Sequence, residues 1–317
     1  MRPHGKIHAL CATARIANLP SVISNVWVGA MIHGCFVNPF LDGRSMTCVM
    51  AAGMCLYLAG NFLNDWMDRA WDSRNRPERA LPRGLFTPGT YLGVAVILSA
   101  GGITAAFTAQ RLAGATALGI LSFIVIYTVW HKRSPWMVIP MGLCRGLLPV
   151  MGALGMMRWP SAPGSLQTSA TMAALAGGAL FFYIAGLSLS ARSEANPTAG
   201  RSPRVLSLWC FSISALLVFP HFLSIEKPGW WCLSPLPFLG WWALCQTRYR
   251  KTVSSYVSAL LAGIPFIDSI TLIPLALWIL ATPASNEDFR LIAMISLSLP
   301  PLAFLSALAL QRLAPAT

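Results

Sequence analysis

The sequence predicts an all-α fold, a polytopic transmembrane helix bundle, and three observations carry that expectation. Of its 317 residues 56% are hydrophobic and 10% are charged, with a mean hydropathy of +0.61. The apolar residues gather into runs of about 20, long enough to cross roughly 30 Å of hydrocarbon. The runs show no period-two alternation, which excludes a membrane barrel and leaves helices.

Ten spans follow in order. The first, 15–37, lies behind a basic amino terminus and has no small-residue cleavage site, so it reads as a retained helix and not a signal peptide. The second, 46–65, runs into an acidic segment. The third and fourth, 88–108 and 111–130, are plain apolar runs, and the fifth, 134–157, carries Arg145. The sixth, 169–191, precedes a polar stretch ending at Arg204. Two more, 204–224 and 229–246, lead to 254–281, which carries Asp268, and 288–312 closes the series. No soluble domain fits in the remainder, so residues 1–317 read as a single membrane domain.

A net charge of +13 raises the question of nucleic acid, and the placement of the charges answers it. If the spans alternate, 17 of the 23 basic residues fall on one side and five on the other, with Arg145 inside a span. That asymmetry is the positive-inside pattern and assigns both termini to the cytoplasm. The excess charge is topology, and nucleic acid is excluded as a partner. The eight cysteines are scattered without a CxxC pair and read as small core residues.

One segment departs from this apolar background. "GNFLNDWMDRAWDSRNRPERALPRG", Gly60 to Gly84, holds four of the ten acidic residues: Asp65, Asp68, Asp72 and Glu78. Asn64, Asp68 and Asp72 are spaced four apart, so a helix continuing through them stacks all three on one face. Such a column of oxygen ligands suits Mg²⁺, which completes its shell with water and phosphate oxygens. Arg74, Arg76, Arg79 and Arg83 stand beside the acids, and arginine pairs with phosphate through two hydrogen bonds. Acids and arginines together describe a site for a metal-bound diphosphate. The competing reading is a solvated helix end where Asp and Arg pair.

"NDWMDRAWD" followed by "RPERALPRG" resembles the first aspartate-rich motif and the downstream arginine-proline segment of the UbiA superfamily of intramembrane prenyltransferases. "ARIANLPSVISNVWVGA" is similar to the family's opening helix, with Arg15 and Asn18 at its mouth and Asn25 inside. "YTVWHKR" looks like the family's tyrosine and Lys-Arg pair, here Tyr127, Lys132 and Arg133. The resemblance implies nine helices around a central cavity whose cytoplasmic mouth holds an isoprenyl diphosphate through Mg²⁺. It also implies transfer of the prenyl group to a lipophilic acceptor, usually an aromatic ring, within the membrane lipid.

The family's second aspartate motif is expected within "YIAGLSLSARSEANPTAGRSPR", Tyr183 to Arg204. Its only acid is Glu194, and Leu187 and Ala191 stand about where carboxylates are expected. Glu194 then completes a reduced metal site, with Arg192 in place of a second ion, or the protein binds a diphosphate with lost or altered catalysis. "LCRG" and "ARSE" are similar to the EboC-like branch of the superfamily.

Ionisable residues inside a bilayer tend to mark function. Arg145 and Asp268 are therefore expected on the cavity wall, Arg145 binding an anionic group and Asp268 orienting or deprotonating an acceptor. A buried Arg-Asp pair is the alternative. Asn25, Asn61 and Tyr183 are further candidates for substrate contact. From another class, a membrane carrier of a phosphorylated or amphipathic metabolite would also suit broken helices.

Overall fold

The computed structural model describes residues 5–38, 41–157, 163–195, 202–217, 229–282 and 287–313, and among them it has helices and no strands. The chain begins with α1 (Lys6–Ala14), a 3-10 turn (Ile16–Asn18) and α2 (Leu19–Phe36). It continues with α3 (Gly43–Asn75), α4 (Pro88–Ala109), α5 (Arg111–Trp130), α6 (Val138–Gly155) and α7 (Pro163–Ala195). The last part holds α8 (Ser202–Leu216), α9 (Leu236–Leu244), a π-turn (Cys245–Tyr249), α10 (Val253–Ala262), α11 (Ile264–Ala281) and α12 (Glu287–Leu313).

Eight helical stretches among the described residues are long and apolar enough to cross a membrane. They match eight of the ten spans read from the sequence. Span 204–224 corresponds to the 15-residue α8, and residues 218–228 lie outside the described residues. Span 229–246 is broken into a 3-10 turn, the nine-residue α9 and the π-turn. The cause is local: Pro235, Pro237 and Gly240 interrupt an otherwise apolar run and leave no room for a full membrane helix.

Two helices extend beyond the apolar runs. α3 carries on past residue 65 to Asn75, so the acidic segment is helix for most of its length and a turn only from Arg76. Asp42 caps its start, accepting from the Ser45 amide at 2.9 Å. α7 reaches Ala195, so the first part of the 183–204 stretch is helical as well.

Packing around α6 fixes the middle of the bundle. A Cβ on Gly29 or Gly152 would overlap the backbone carbonyls of Pro149 and Val26, so α2 and α6 touch main chain to main chain. Gly146 and Gly177 do the same between α6 and α7, where a Cβ on Gly146 would lie 2.6 Å from the Gly177 oxygen. Close approach at small residues is how helices associate where lipid removes the hydrophobic drive. Outward-facing side chains such as Val96, Ile97, Leu302 and Leu305 are exposed and apolar, as a lipid-facing surface requires.

Candidate active site

The acid column forms because α3 stays helical. Asp65, Asp68 and Asp72 are all buried on one face of it, and Asn64 donates to Asp68 Oδ2 at 3.4 Å. Each acid meets a cation brought by another segment. Arg79, from the turn after α3, folds back to Asp65 Oδ1 at 3.0 Å and Asp72 Oδ2 at 2.9 Å. Lys132 pairs with Asp68 Oδ1, and His131 Nε2 lies 3.3 Å from Asp68 Oδ2. Lys132 also sits 4.3 Å over the Trp71 ring. Asp65 and His131 join this cluster without having been singled out as ligands or contacts; Asp65 is one step from the four-residue spacing, and His131 lies inside the quoted "YTVWHKR".

Beside the column opens a cavity of about 820 Å³. Its rim carries Arg15, Asn64, Arg76, Glu78, Arg79 and His131. Arg15 is placed by an unusual backbone: its φ of 46° is the one positive value at a non-glycine position among the described residues. The left-handed turn costs roughly 1–2 kcal/mol. It is held by the Tyr57 hydroxyl donating to the Arg15 carbonyl at 3.3 Å and by Asn61 donating to the Ala14 carbonyl at 3.0 Å. Arg15 Nη1 in turn donates to Asn61 Oδ1 at 3.2 Å. Asn61, a weak candidate from sequence, thus sets the turn that aims Arg15.

Below the rim the lining carries both apolar and polar side chains. Leu56 and Gly60 of α3, Ile120 and Ile124 of α5, and Met141 and Leu148 of α6 are its apolar part. Asn18, Tyr57, Asn61 and Arg145 are interspersed with them. Tyr127 lines the cavity and stacks on His131 with ring centroids 5.1 Å apart. From α7 come Ile184, Leu187, Ser188 and Ala191, a wall without a carboxylate.

Arg145 and Asp268 are brought together, though not as joint cavity residues. Arg145 lines the cavity, stacks 5.1 Å from the Tyr57 ring, and donates from Nη1 to Asn25 Oδ1 at 2.8 Å and Ser21 Oγ at 3.1 Å. Asn25 passes the interaction on, donating to Asp268 Oδ1 and Oδ2 at 3.0 and 2.9 Å, and Ser24 also donates to Asp268. Asp268 and Asn25 are sealed from the cavity, so direct deprotonation of an acceptor by Asp268 does not fit this geometry. Asn25 likewise touches Arg145 and Asp268 and does not reach the cavity.

Tyr183 is also displaced from its expected place. It is fully buried and donates to the Leu260 carbonyl at 2.7 Å, away from the cavity lining. At the α10–α11 junction, where Gly263 precedes Pro265, the Ala259 and Leu260 carbonyls accept from the Gly263 amide and each takes a side-chain bond as well, Leu260 from Tyr183 and Ala259 from Trp241 Nε1 at 2.9 Å. Arg133 is exposed and approaches neither the acids nor the cavity. The backbones of Arg192 and Glu194 belong to the end of α7, and their side chains lie outside the described residues.

A membrane bundle enclosing one acid-and-arginine mouth is what the comparisons with known proteins meet. Residues 22–281 match the model of the UbiA prenyltransferase family. The chain belongs to the UbiA prenyltransferase family. Among UbiA-family relatives, it is 29% identical over 242 residues to digeranylgeranylglyceryl phosphate synthase of Halobacterium salinarum, covering 74% of this chain and 81% of the relative. It is 27% identical over 150 residues to protoheme IX farnesyltransferase of Granulibacter bethesdensis, covering 46% of this chain and 44% of that enzyme. In fold it is similar to a UbiA homologue from Aeropyrum pernix, with a TM-score of 0.58 and 15% identity over 93% of this chain and 98% of that one.

The donor set of this UbiA-family chain fits one divalent cation. Three carboxylates and an amide on one helix face are the hard oxygen ligands that Mg²⁺ takes. Asp72 Oδ1 is buried without a hydrogen-bond partner, an acceptor in a position where one is costly to leave unpaired. Among the described residues no three acidic, histidine or cysteine side chains already converge on a common point, because Arg79, Lys132 and His131 hold the acids. Among the described residues the α7 part of the lining offers no carboxylate for a second ion, presenting Ile184, Leu187, Ser188 and Ala191, while the Glu194 side chain lies outside them.

Proposed function

We propose that this UbiA-family protein is an integral membrane prenyltransferase that binds an isoprenyl diphosphate at the cavity mouth and transfers the prenyl group to an aromatic or other lipophilic acceptor. The observation that carries this reading is the union of a buried acid column with a cationic rim over one apolar cavity. Asn64, Asp68 and Asp72 would hold Mg²⁺, which on binding supplies positive charge against the diphosphate oxygens. Arg15, Arg76, Arg79 and Lys132 surround the same mouth and neutralise the charge that develops as the diphosphate leaves. The C1–O bond breaks with its electron pair going to the diphosphate. A nucleophilic atom of the acceptor then bonds to C1, and its proton passes to the released diphosphate. The apolar lining residues of the cavity keep water from the allylic cation in the interval. The acceptor meets Arg145, which faces into the cavity and whose guanidinium Asp268 fixes through Asn25. Both termini and the mouth face the cytoplasm of a bacterial inner membrane in this reading.

The lack of a carboxylate among the described α7 lining residues, Ile184, Leu187, Ser188 and Ala191, favours one alternative, a diphosphate-binding carrier with altered chemistry. One assay separates the two: purified protein in detergent with Mg²⁺ and isoprenyl diphosphates, following diphosphate release with and without extract acceptors. Mg²⁺-dependent release is expected, and Asp68→Ala or Asp72→Ala should lower it at least 100-fold, the scale of losing a charge-stabilising group. Binding without release at any chain length would favour the carrier.

A further inference from the structure

Asp65 lies behind the rim of the cavity and not in its lining. It is buried on α3, two helical turns before Asp72, and the two carboxylates share one face of the helix. Arg79 serves both from a single nitrogen: Nη1 donates to Asp65 Oδ1 at 3.0 Å and to Asp72 Oδ2 at 2.9 Å. A guanidinium has further N–H groups on Nη2 and Nε. Among the described residues that second edge has no partner, and Arg79 is itself part of the cavity lining. One edge of the fork is held by carboxylates, and the other is open to oxygens in the mouth.

The two acids differ in what else they meet. Asp72 belongs to the column with Asn64 and Asp68, and its Oδ1 is buried without a partner. Asp65 falls outside that four-residue spacing and has surroundings of its own. The Arg15 guanidinium acts on it electrostatically, and the Thr13 hydroxyl stands against it. Thr13 of α1 is bonded in turn to the Tyr91 hydroxyl of α4 at 2.8 Å, and both side chains are buried. Asp65 is thus backed by α1 and α4, which leaves Asp72 as the acid of the pair that can turn to a cation.

We infer that Asp65 is a positioning residue: it keeps Arg79 at the mouth when Asp72 engages Mg²⁺, so that the open Nη2–Nε edge meets diphosphate oxygens as a fork. The inference rests on the diphosphate-site reading above. Without the Asp65 carboxylate, Asp72 is the only acid left to Arg79, and the guanidinium competes with the cation for the same oxygens. With it, a fixed negative charge also tempers the repulsion between the guanidinium and a divalent ion.

The test is binding, not turnover. Inorganic diphosphate is titrated into the full-length protein in detergent at saturating Mg²⁺, and Mn²⁺ binding without diphosphate is followed by electron paramagnetic resonance. Asp65→Asn should weaken diphosphate binding about tenfold, the scale of one lost charge-assisted hydrogen bond, and Arg79→Gln by a similar factor. The double variant should lose no more than the weaker of the two, because Asp65 acts through Arg79. Asp65→Glu, which keeps the charge, should restore most of the affinity, and adding Asp65→Asn to Arg79→Gln should leave Mn²⁺ affinity unchanged. Additive losses, or full diphosphate affinity in a folded Asp65→Asn protein, overturn the positioning role and leave the diphosphate site standing. Mn²⁺ binding lost on adding Asp65→Asn to Arg79→Gln makes Asp65 a metal ligand and overturns the role as well. A melting curve checks folding; if Asp65→Asn does not fold, Arg79→Lys decides, since it keeps the charge without the two-edged fork and undiminished diphosphate affinity overturns the inference. Wild-type protein that binds no diphosphate with Mg²⁺ overturns both the site and the role.

Discussion

Arg79 ties the acid column to the turn that follows it. Bonded to both Asp65 and Asp72, it is a side chain that local spacing could offer but not choose from among Arg74, Arg76, Arg79 and Arg83. Arg74 and Arg83 are exposed, so the basic character of the loop is partly topology and partly site. Replacing Arg79 by Ala strands two buried carboxylates and should destabilise the protein by about 1–3 kcal/mol, read as a lower melting temperature, and weaken donor binding as well. Arg145 and Asp268 give a second residue-scale expectation. Each single change, Arg145→Leu or Asp268→Leu, leaves an uncompensated buried charge and should cost about 3–5 kcal/mol, whereas the double variant should cost less than the sum. A double-mutant cycle on thermal stability measures that coupling. The four-residue spacing of Asn64, Asp68 and Asp72 was legible because a helix repeats every 3.6 residues. His131 was not, because its partnership with Asp68 joins two helices more than 60 positions apart in sequence.

Among the elements, the break between α10 and α11 is the informative one. One apolar run, 254–281, predicts a single helix, and the chain instead turns at Gly263 ahead of Pro265. A Cβ on Gly263 would lie 2.6 Å from Trp241 Nε1 and 3.2 Å from the Tyr183 hydroxyl, so the small residue is needed where those two side chains reach the Ala259 and Leu260 carbonyls. Tyr183→Phe removes one of these bonds and should cost about 1–2 kcal/mol of stability with turnover per folded molecule retained. A melting curve and a single-turnover assay on the same preparation check both halves. The sequence exposed Tyr183 as polar and inside a span, but a tyrosine that caps a carbonyl and one that faces a substrate carry the same local signature. Similarly, the Pro- and Gly-rich 229–246 run is as apolar as its neighbours, and hydropathy alone counts it as a span.

For the whole molecule, α2 and α7 each approach α6 at glycines, and that packing fixes the middle of the bundle. Gly146→Val would drive a side chain into the Gly177 carbonyl and prise α6 from α7. The expected outcome is loss of a monodisperse peak in size-exclusion chromatography, since overpacking at backbone contacts cannot be relieved by rotamer change. Composition, run length and charge asymmetry determined by themselves that this is a helical membrane protein, because the bilayer admits few ways to satisfy a backbone. The acid column and the family resemblance came from sequence too, since one helix face carries them. Only the tertiary structure decided which cations hold which acids and that Asp268 and Tyr183 lie off the cavity. Those are contacts between distant segments, and their geometry depends on helix packing that no local pattern encodes.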